Sequence, residues 1–231
     1  MVNPFYKSQV LDNPKYNLAQ RRPTTMTTLD IRLTQPTLFF DTETSGFMSK
    51  KTDFDHPEQA WCVQIGAILS SATETFAELN VLIQSNKRTM NYHAQQIHGI
   101  TVERADAEGI PESEACSAFA ELLLQTPTIV CHNFDFDWPF VYQMMQRNLE
   151  ELSDEHRSRF YCEYPSFCTM KNPIVKTYVD ARNIKGHKKF PKLIELHQKL
   201  FNSDFEGAHD AMADIQATRR CYYELINKGI I

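Results

Sequence analysis

The chain has 231 residues, a formal net charge of −5, 42% hydrophobic and 11% aromatic residues. This length and apolar content predict one folded domain with at most a short extension, and they exclude a chain that is disordered throughout. The acidic balance excludes a uniformly basic coat for nucleic acid.

Residues 1–35 differ from the rest of the chain because they contain Asn-Pro twice and show little hydrophobic periodicity. We expect an N-terminal extension here that is at most partly ordered. Five basic and two acidic residues give it a net charge of +3. Residues 36–231 are predicted to form a single domain.

Three apolar segments open this domain. Thr37–Phe40 reads TLFF, and Cys62–Ser70 and Thr75–Gln84 alternate or run apolar, as paired strands do. A polar loop, Met48–Gln59, separates the first two strands, and we expect it to be solvated. The predicted elements that follow are a strand, Pro127–Cys131, and the helices Thr89–Ile97, Glu112–Gln125, Phe136–Asn148, Leu193–Phe201 and Ala208–Asn227. This order predicts an α/β fold with a sheet of mixed direction.

Glycine is scarce, with only 7 residues, and Gly99 and Gly109 are the closest pair. The chain therefore cannot contain a Gly-rich dinucleotide loop, a P-loop or a nucleophile elbow. If the protein handles phosphates, metal ions held by carboxylates are the obvious means.

The six cysteines form no Cys-X-X-Cys pair, which predicts free, buried thiols in a reducing compartment. The N-terminal residues lack the apolar core of a secretory signal, and no apolar run approaches the length of a membrane span. We therefore expect a cytoplasmic protein with no membrane partner.

Acidic residues follow the first predicted strand. Asp41 and Glu43 stand two positions apart, so an extended chain directs both side chains to the same face. Two close carboxylates repel each other unless a proton or a cation lies between them, and a hard divalent ion such as Mg²⁺ takes oxygen ligands. Two solvated acids at a strand end are the alternative.

Two further segments carry acids and histidines. His132 and Asn133 follow a predicted buried strand and precede a helix whose first turn holds Asp135 and Asp137. His209 and Asp214 lie about one turn apart near the start of the last helix. Small residues in that segment permit close packing on a sheet: Gly207, Ala208, Ala211 and Ala213.

These segments together resemble the DnaQ-like (DEDDh) family of 3′–5′ exonucleases. The family's DxET motif is Asp41 to Thr44, its HNxxFDxxF motif is His132 to Phe140, and its HxxxxD motif is His209 to Asp214. The family's Ile-His-Gly-Ile-Thr segment is Ile97–Thr101, and the likeness covers about residues 36–228. The resemblance implies a ribonuclease H-like mixed sheet of about five strands flanked by helices.

The motif register selects Asp137 over Asp135 and Asp214 over Asp210, and it leaves Asp135 and Asp210 as ordinary acids of helix termini. Tyr161–Met170 stands where many relatives carry an Asp-Thr strand, with Cys168 in place of the Asp and Thr169 matching.

The resemblance implies phosphodiester hydrolysis with two divalent ions, Mg²⁺ with Mn²⁺ able to substitute. Asp41, Glu43, Asp137 and Asp214 would hold the ions, and His209 would be the general base that takes a proton from the attacking water. The product would be a nucleoside 5′-monophosphate released stepwise from the 3′ end.

The resemblance also implies residues that bind the substrate. Phe47 would stack on a base, Gly46 would offer backbone groups, and His98 would contact the terminal sugar or base. Residues 171–192 carry seven basic residues and one acid, a net charge of +6, which attracts phosphates. The full set of predicted substrate-binding residues is Thr42, Thr44, Gly46, Phe47, His98, Asn133, Lys185, Lys188 and Lys189.

The predicted substrate is a single-stranded or frayed 3′ end, with DNA favoured over RNA. An exoribonuclease of the RNase T or oligoribonuclease type is the alternative, and a catalytically silent nucleic-acid-binding module is a weaker one. A homodimer and a polymerase partner both stay open.

Overall fold

The architecture rests on a five-stranded sheet in the order β3-β2-β1-β4-β5. The computed structural model describes residues 28–49, 51–53, 56, 58–160, 165–207 and 210–231. The strands are β1 (Thr37–Thr44), β2 (Cys62–Ser70), β3 (Thr75–Leu82), β4 (Thr128–Cys131) and β5 (Ser166–Cys168). β1 pairs antiparallel with β2 and parallel with β4, so the sheet has the predicted mixed direction and strand number.

The described helices flank this sheet. They are α1 (Thr28–Thr34), α2 (Tyr92–His98), α3 (Val102–Glu108), α4 (Glu112–Leu124), α5 (Phe134–Arg147), α6 (Asp154–Phe160), α7 (Pro173–Val179), α8 (Leu193–Phe201) and α9 (Ala211–Asn227). None of these helices has both the length and the apolar character that crossing a membrane requires. The predicted fold class, an α/β ribonuclease H-like sheet flanked by helices, is confirmed.

Alternation along β1 divides the core between the two faces of the sheet. Leu38 and Phe40 pack with α4 and α5, whereas Phe39 packs with the aromatic residues of α9. Continuing the alternation, Asp41 and Glu43 follow Phe39 on the α9 side, and Thr42 follows Phe40 on the α5 side.

The start of α9 lies very close to the sheet because Gly66 of β2 has no side chain. A Cβ atom at Gly66 would stand 2.5 Å from Cδ1 of Ile215 and 3.4 Å from Cβ of Ala211. Gly66 is the register partner of Asp41 in β1, so this contact brings the first turn of α9 against the acidic end of β1.

Several boundaries differ from the predictions, and the differences at α1, α5 and α9 bear on the site. Part of the predicted N-terminal extension is helical, because α1 begins at Thr28 and Leu33 packs against the core under α9; residues 1–27 lie outside the described residues. α5 begins at Phe134, earlier than predicted. α9 begins at Ala211 rather than Ala208, because the Asp210 side chain accepts a hydrogen bond from the Ala213 backbone amide at 3.0 Å and caps the helix.

Candidate active site

Carboxylates from β1, α5 and α9 act on one another electrostatically at one end of the sheet. Burial raises the pKa of Asp41 well above its ordinary value, and the charges of Asp137, Glu43 and Asp214 raise it further. Burial also raises the pKa of Glu43 to about 8, with Asp214, Asp137 and Asp210 adding to the shift. The structure therefore brings together the four acids that the sequence selected as metal ligands.

Asp137 is the most constrained member of this cluster, with 2% of its surface exposed. Its Oδ1 accepts hydrogen bonds from the Thr42 hydroxyl at 2.7 Å and the Thr42 amide at 3.2 Å. Its Oδ2 accepts one from the Cys131 thiol at 3.2 Å. Burial raises the pKa of Asp137 to about 6, while these donors lower it. Asp137 is thus held by donors from two strands.

The donor set fits hard divalent ions because all four side chains offer oxygen and their mutual repulsion favours a cation between them. In the described parts of the chain, however, no three histidine, cysteine or acidic side chains lie close enough together to form a ready-made metal cage.

The two acids that the register rejected have other partners. Asp135 lies in the first turn of α5 and accepts a hydrogen bond from Lys171 Nζ at 2.6 Å, and Asp210 is the N-cap of α9. The predicted general base, His209, lies outside the described residues. The third motif is represented in the cluster by Asp214, which lies in the first turn of α9.

The backbone after β1 turns sharply at Gly46. This residue has φ +151, which favours glycine, and a Cβ atom there would stand 3.3 Å from Cβ of Asn91. The Thr44 hydroxyl donates to the Gly46 carbonyl at 3.0 Å. Thr42 and Thr44 are buried, so their side chains secure Asp137 and this turn rather than facing solvent.

Phe47 follows this turn and is 87% exposed, so it is not a core residue. Its ring meets Phe136 of α5 edge-on, with the centroids 5.9 Å apart. Both rings line a pocket of about 490 Å³ whose other walls come from α5 and from Met48, Ser49, Thr52 and Gln59. The predicted base-stacking residue is therefore exposed on the surface, on a pocket that also contains Phe136, the neighbour of Asp137.

The polar loop after Phe47 is anchored by Gln59, which the sequence analysis missed. Gln59 is 2% exposed, and its Nε2 donates to the carbonyls of Ser49 and Thr52, each at 2.9 Å. A glutamine at the end of a polar loop gives no sequence signal of burial. The prediction of a solvated loop is thus wrong at this residue.

Two histidines border the site. Burial lowers the pKa of His98, partly offset by a hydrogen bond with the Thr44 backbone, which places this ring beside β1. His132 Nδ1 lies 2.9 Å from the Thr169 hydroxyl, and burial lowers its pKa to about 4. Asn133 is the N-cap residue of α5, but its side chain makes no capping hydrogen bond.

The predicted basic contacts lie on a hairpin between α7 and α8. Lys185 stands at its exposed tip, Lys188 Nζ is 3.5 Å from Asp180, and Lys189 donates to both carboxylate oxygens of Glu195 at 2.6 Å. Lys189 is therefore already paired within the protein, whereas the side chain of Lys185 faces solvent.

The fold and this cluster of acids define a nuclease of the ribonuclease H-like class. Residues 38–222 match the model of the RNase T family, which is described as an exonuclease family. Because the match covers most of the chain, the chain belongs to this exonuclease family, and the predicted DnaQ-like relationship is confirmed. It is an enzyme that hydrolyses phosphodiester bonds, and exonucleases of this family use divalent metal ions. No curated protein sequence matches the chain.

Solved structures of exonuclease I share the fold. E. coli exonuclease I with a dT13 oligonucleotide has a TM-score of 0.65, 22% identity, and coverage of 83% of this chain and 41% of that one. The complex with dA16 has a TM-score of 0.64, 20% identity, and coverage of 84% and 41%. An ExoI/SSB-Ct complex has a TM-score of 0.65, 19% identity, and coverage of 84% and 41%. This chain thus spans about two fifths of the exonuclease I chains.

Proposed function

We propose that this protein removes nucleotides stepwise from the 3′ end of a nucleic-acid strand and releases nucleoside 5′-monophosphates. Residues 36–231 would form the single catalytic domain. The observation that carries this proposal is the meeting of Asp41, Glu43, Asp137 and Asp214 at one end of the sheet, where burial and the neighbouring acids raise the pKa of Asp41 and Glu43. Repelling acids of this kind are a usual mark of an active site.

Asp41, Glu43, Asp137 and Asp214 would hold two divalent ions, Mg²⁺ or Mn²⁺. Such ions activate water and stabilise charge on the leaving oxygen. Hydrogen bonds from Thr42 to Oδ1 and from Cys131 to Oδ2 hold the Asp137 side chain in one orientation. By its motif position, His209 takes the proton of the attacking water.

The exposed Phe47 ring beside the cluster supports a terminal base that is unpaired, because stacking requires access to a base face. We favour DNA over RNA because the exonuclease I structures of this fold contain dT13 and dA16 oligonucleotides. An exoribonuclease stays the alternative outcome of the test below.

The test is to incubate the purified protein and Mg²⁺ with 3′-labelled single-stranded DNA, duplex DNA and RNA of one sequence. We expect release of labelled mononucleotide, fastest from single-stranded DNA and abolished by a chelator. Faster digestion of RNA would reverse the substrate assignment. Activity that survives the chelator would overturn the role of the metal.

The residue assignments need two variants in the same assay. His209→Ala should remove most activity, since the water would lack its base; an unchanged rate would reject that assignment. Glu108→Gln is the control, because Glu108 is an exposed acid paired with Arg104 away from the cluster.

A further inference from the structure

A basic and aromatic surface lies between α7 and α8, formed by Phe190, Lys171 and Lys176. Phe190 is 45% exposed. Lys176 Nζ lies 4.3 Å from the centroid of its ring, and Lys171 Nζ lies 6.0 Å from it. Both ammonium groups lie over the ring, Lys176 in close contact with it, and the ring stays partly exposed. An exposed aromatic ring next to cations combines a contact for a base with charges for phosphates.

This surface is linked to the carboxylate site by contacts within the fold. Lys171 Nζ donates to Asp135, which lines the same pocket as Phe47 and Phe136 and lies two residues before Asp137. On the other side, the His132 ring contacts Thr169 and the backbone of Pro191, the neighbour of Phe190. Residues 169–191 therefore pack against the turn that begins α5.

The charge of this region complements a polyphosphate. Residues 171–192 carry seven basic residues, and the acids that face them are Asp135, Asp180 and Glu195. Cations remain in excess after those pairs are counted. A strand that leaves the carboxylate site past Asp135 would next meet Lys171 and then the Phe190 ring.

We propose that Phe190, Lys171 and Lys176 form a second strand-binding site, which takes an unpaired nucleotide several positions upstream of the 3′ terminus. The base stacks on Phe190, Lys176 contacts an adjoining phosphate, and Lys171, which is paired with Asp135, adds its positive charge nearby. This inference rests on the proposed nuclease function and adds to it a site that binds the single strand away from its 3′ terminus.

The test measures binding of 5′-labelled oligothymidylates by fluorescence anisotropy with Mg²⁺. An Asp41→Asn background prevents digestion. One oligonucleotide has about three nucleotides and the other about twelve, a length that reaches beyond the terminal site. Phe190→Ala should weaken binding of the longer one about tenfold and leave the shorter one within about twofold, as expected for one lost stacking contact.

The matched control is Phe76→Ala. Phe76 lies on β3, at the opposite edge of the sheet from β5, and is 44% exposed. The Phe76→Ala variant therefore loses the same kind of ring at a similar exposure. It should bind both oligonucleotides like the parent. Equal affinity of Phe190→Ala and Phe76→Ala for the longer strand would overturn the proposal, as would an equal loss for both lengths.

Further variants distinguish a lost stacking contact from a folding defect in Phe190→Ala. Phe190→Leu keeps an apolar side chain but no ring face, and it should lose affinity for the longer strand, whereas Phe190→Trp should retain it. Lys176→Ala should lower the slope of log affinity against log salt by about 0.7, the value for one phosphate contact on a single strand. An unchanged slope together with full affinity of Phe190→Leu would overturn the proposal.

The binding measurement does not need catalysis, so the two ideas can fail separately. A parent protein that binds the longer strand through Phe190 but digests no substrate would reject only the nuclease proposal. A parent that digests DNA while Phe190→Ala binds like Phe76→Ala would reject only the second site.

Discussion

The molecule buries charge in two places, and the two are built in opposite ways. At the end of β1, burial raises the pKa of Asp41 and of Glu43, and the charges of neighbouring acids, Asp137 and Asp214 among them, raise both further. Between α4 and α5, Glu112 accepts from Arg88 at 2.7 Å and from Arg147 at 3.3 Å, and Arg88 also lies over the Trp61 ring. The charges that act on Asp41 and Glu43 have the same sign as their own, whereas Glu112 is paired with two arginines.

This difference distinguishes charged groups that stabilise the fold from charged groups that indicate a ligand. A buried acid between two arginines is satisfied within the fold and fixes the relative positions of α4, α5 and the segment before α2. A cluster of like charges destabilises the fold unless something from outside neutralises it, which is why such clusters indicate a ligand. The two sites should therefore respond oppositely to loss of one acid.

The largest expected effect comes from Asp41→Asn. Losing this ligand should lower the rate of nucleotide release by about a thousandfold, because metal ions contribute several kcal/mol to such reactions. The same variant should melt at a higher temperature than the parent in chelator, since one repelling charge is gone, and should gain little from added Mg²⁺. A drop in melting temperature in chelator would contradict this account of the cluster.

Removing the acid from the other site should do the reverse. Glu112→Ala leaves two largely buried arginines without their shared partner, which should cost about 3–5 kcal/mol of unfolding free energy. Urea denaturation measures it, with Glu108→Ala, at an exposed ion pair, as a control expected to change by less than about 1 kcal/mol. A loss of activity without a loss of stability would instead place Glu112 in the chemistry.

The metal-free protein should lose stability as the pH rises. Because the pKa of Glu43 is raised to about 8 in the folded protein, its proton favours folding below its ordinary pKa, and that stability is lost as the pH passes about 8. We expect a loss on the order of 1–3 kcal/mol between about pH 5 and pH 8, after allowance for solvent screening.

Thermal melts in chelator check this loss, and Mg²⁺ at the upper pH should reverse it. Glu43→Gln should flatten the profile. Stability that increases over this range in the parent would show that the cluster does not repel as described.

The smallest expected effect concerns the thiol behind Asp137. Cys131→Ala removes a donor to Oδ2 and should lower kcat about three- to tenfold with little change in KM, as expected for one hydrogen bond to a charged group. Cys131→Ser, which keeps a donor, should recover most of this loss.

Cys116→Ala is the matched control, because Cys116 is also fully buried but lies in α4. Equal kcat losses in Cys131→Ala and Cys116→Ala would mean that packing, not the hydrogen bond, sets the rate.

The strands of the sheet and the longer helices could be predicted because their patterns are long enough to be periodic. β2 was predicted with its observed bounds, Cys62–Ser70, since nearly all its residues are apolar. β5 has three residues, Ser166–Cys168, and α1, α3, α6 and α7 have seven each, so no repeat could mark them. Their positions depend on packing against distant segments.

For the candidate site, motif register selected Asp41, Glu43, Asp137 and Asp214, and in the structure the charges of the other three raise the pKa of Asp41 further than burial does alone. The sequence could not show that Thr42 and Cys131 bond to Asp137, because those contacts join residues of different strands and a helix. Strand alternation could have suggested Thr42, since it lies on the α5 side of β1. Nothing in the pattern distinguished the paired Lys189 from the exposed Lys185.

Gly66 has a consequence for ion selectivity. Mg²⁺ holds its oxygen ligands at about 2.0–2.1 Å and Ca²⁺ at about 2.3–2.6 Å, so ligands fixed on separate elements discriminate between ions by their spacing. Asp214 lies on α9 and Asp41 on β1. The distance between α9 and β1 is set by the packing of Ala211 and Ile215 on Gly66, the register partner of Asp41. If Asp41 and Asp214 hold an ion as proposed, its selection depends partly on Gly66, a position that has no side chain.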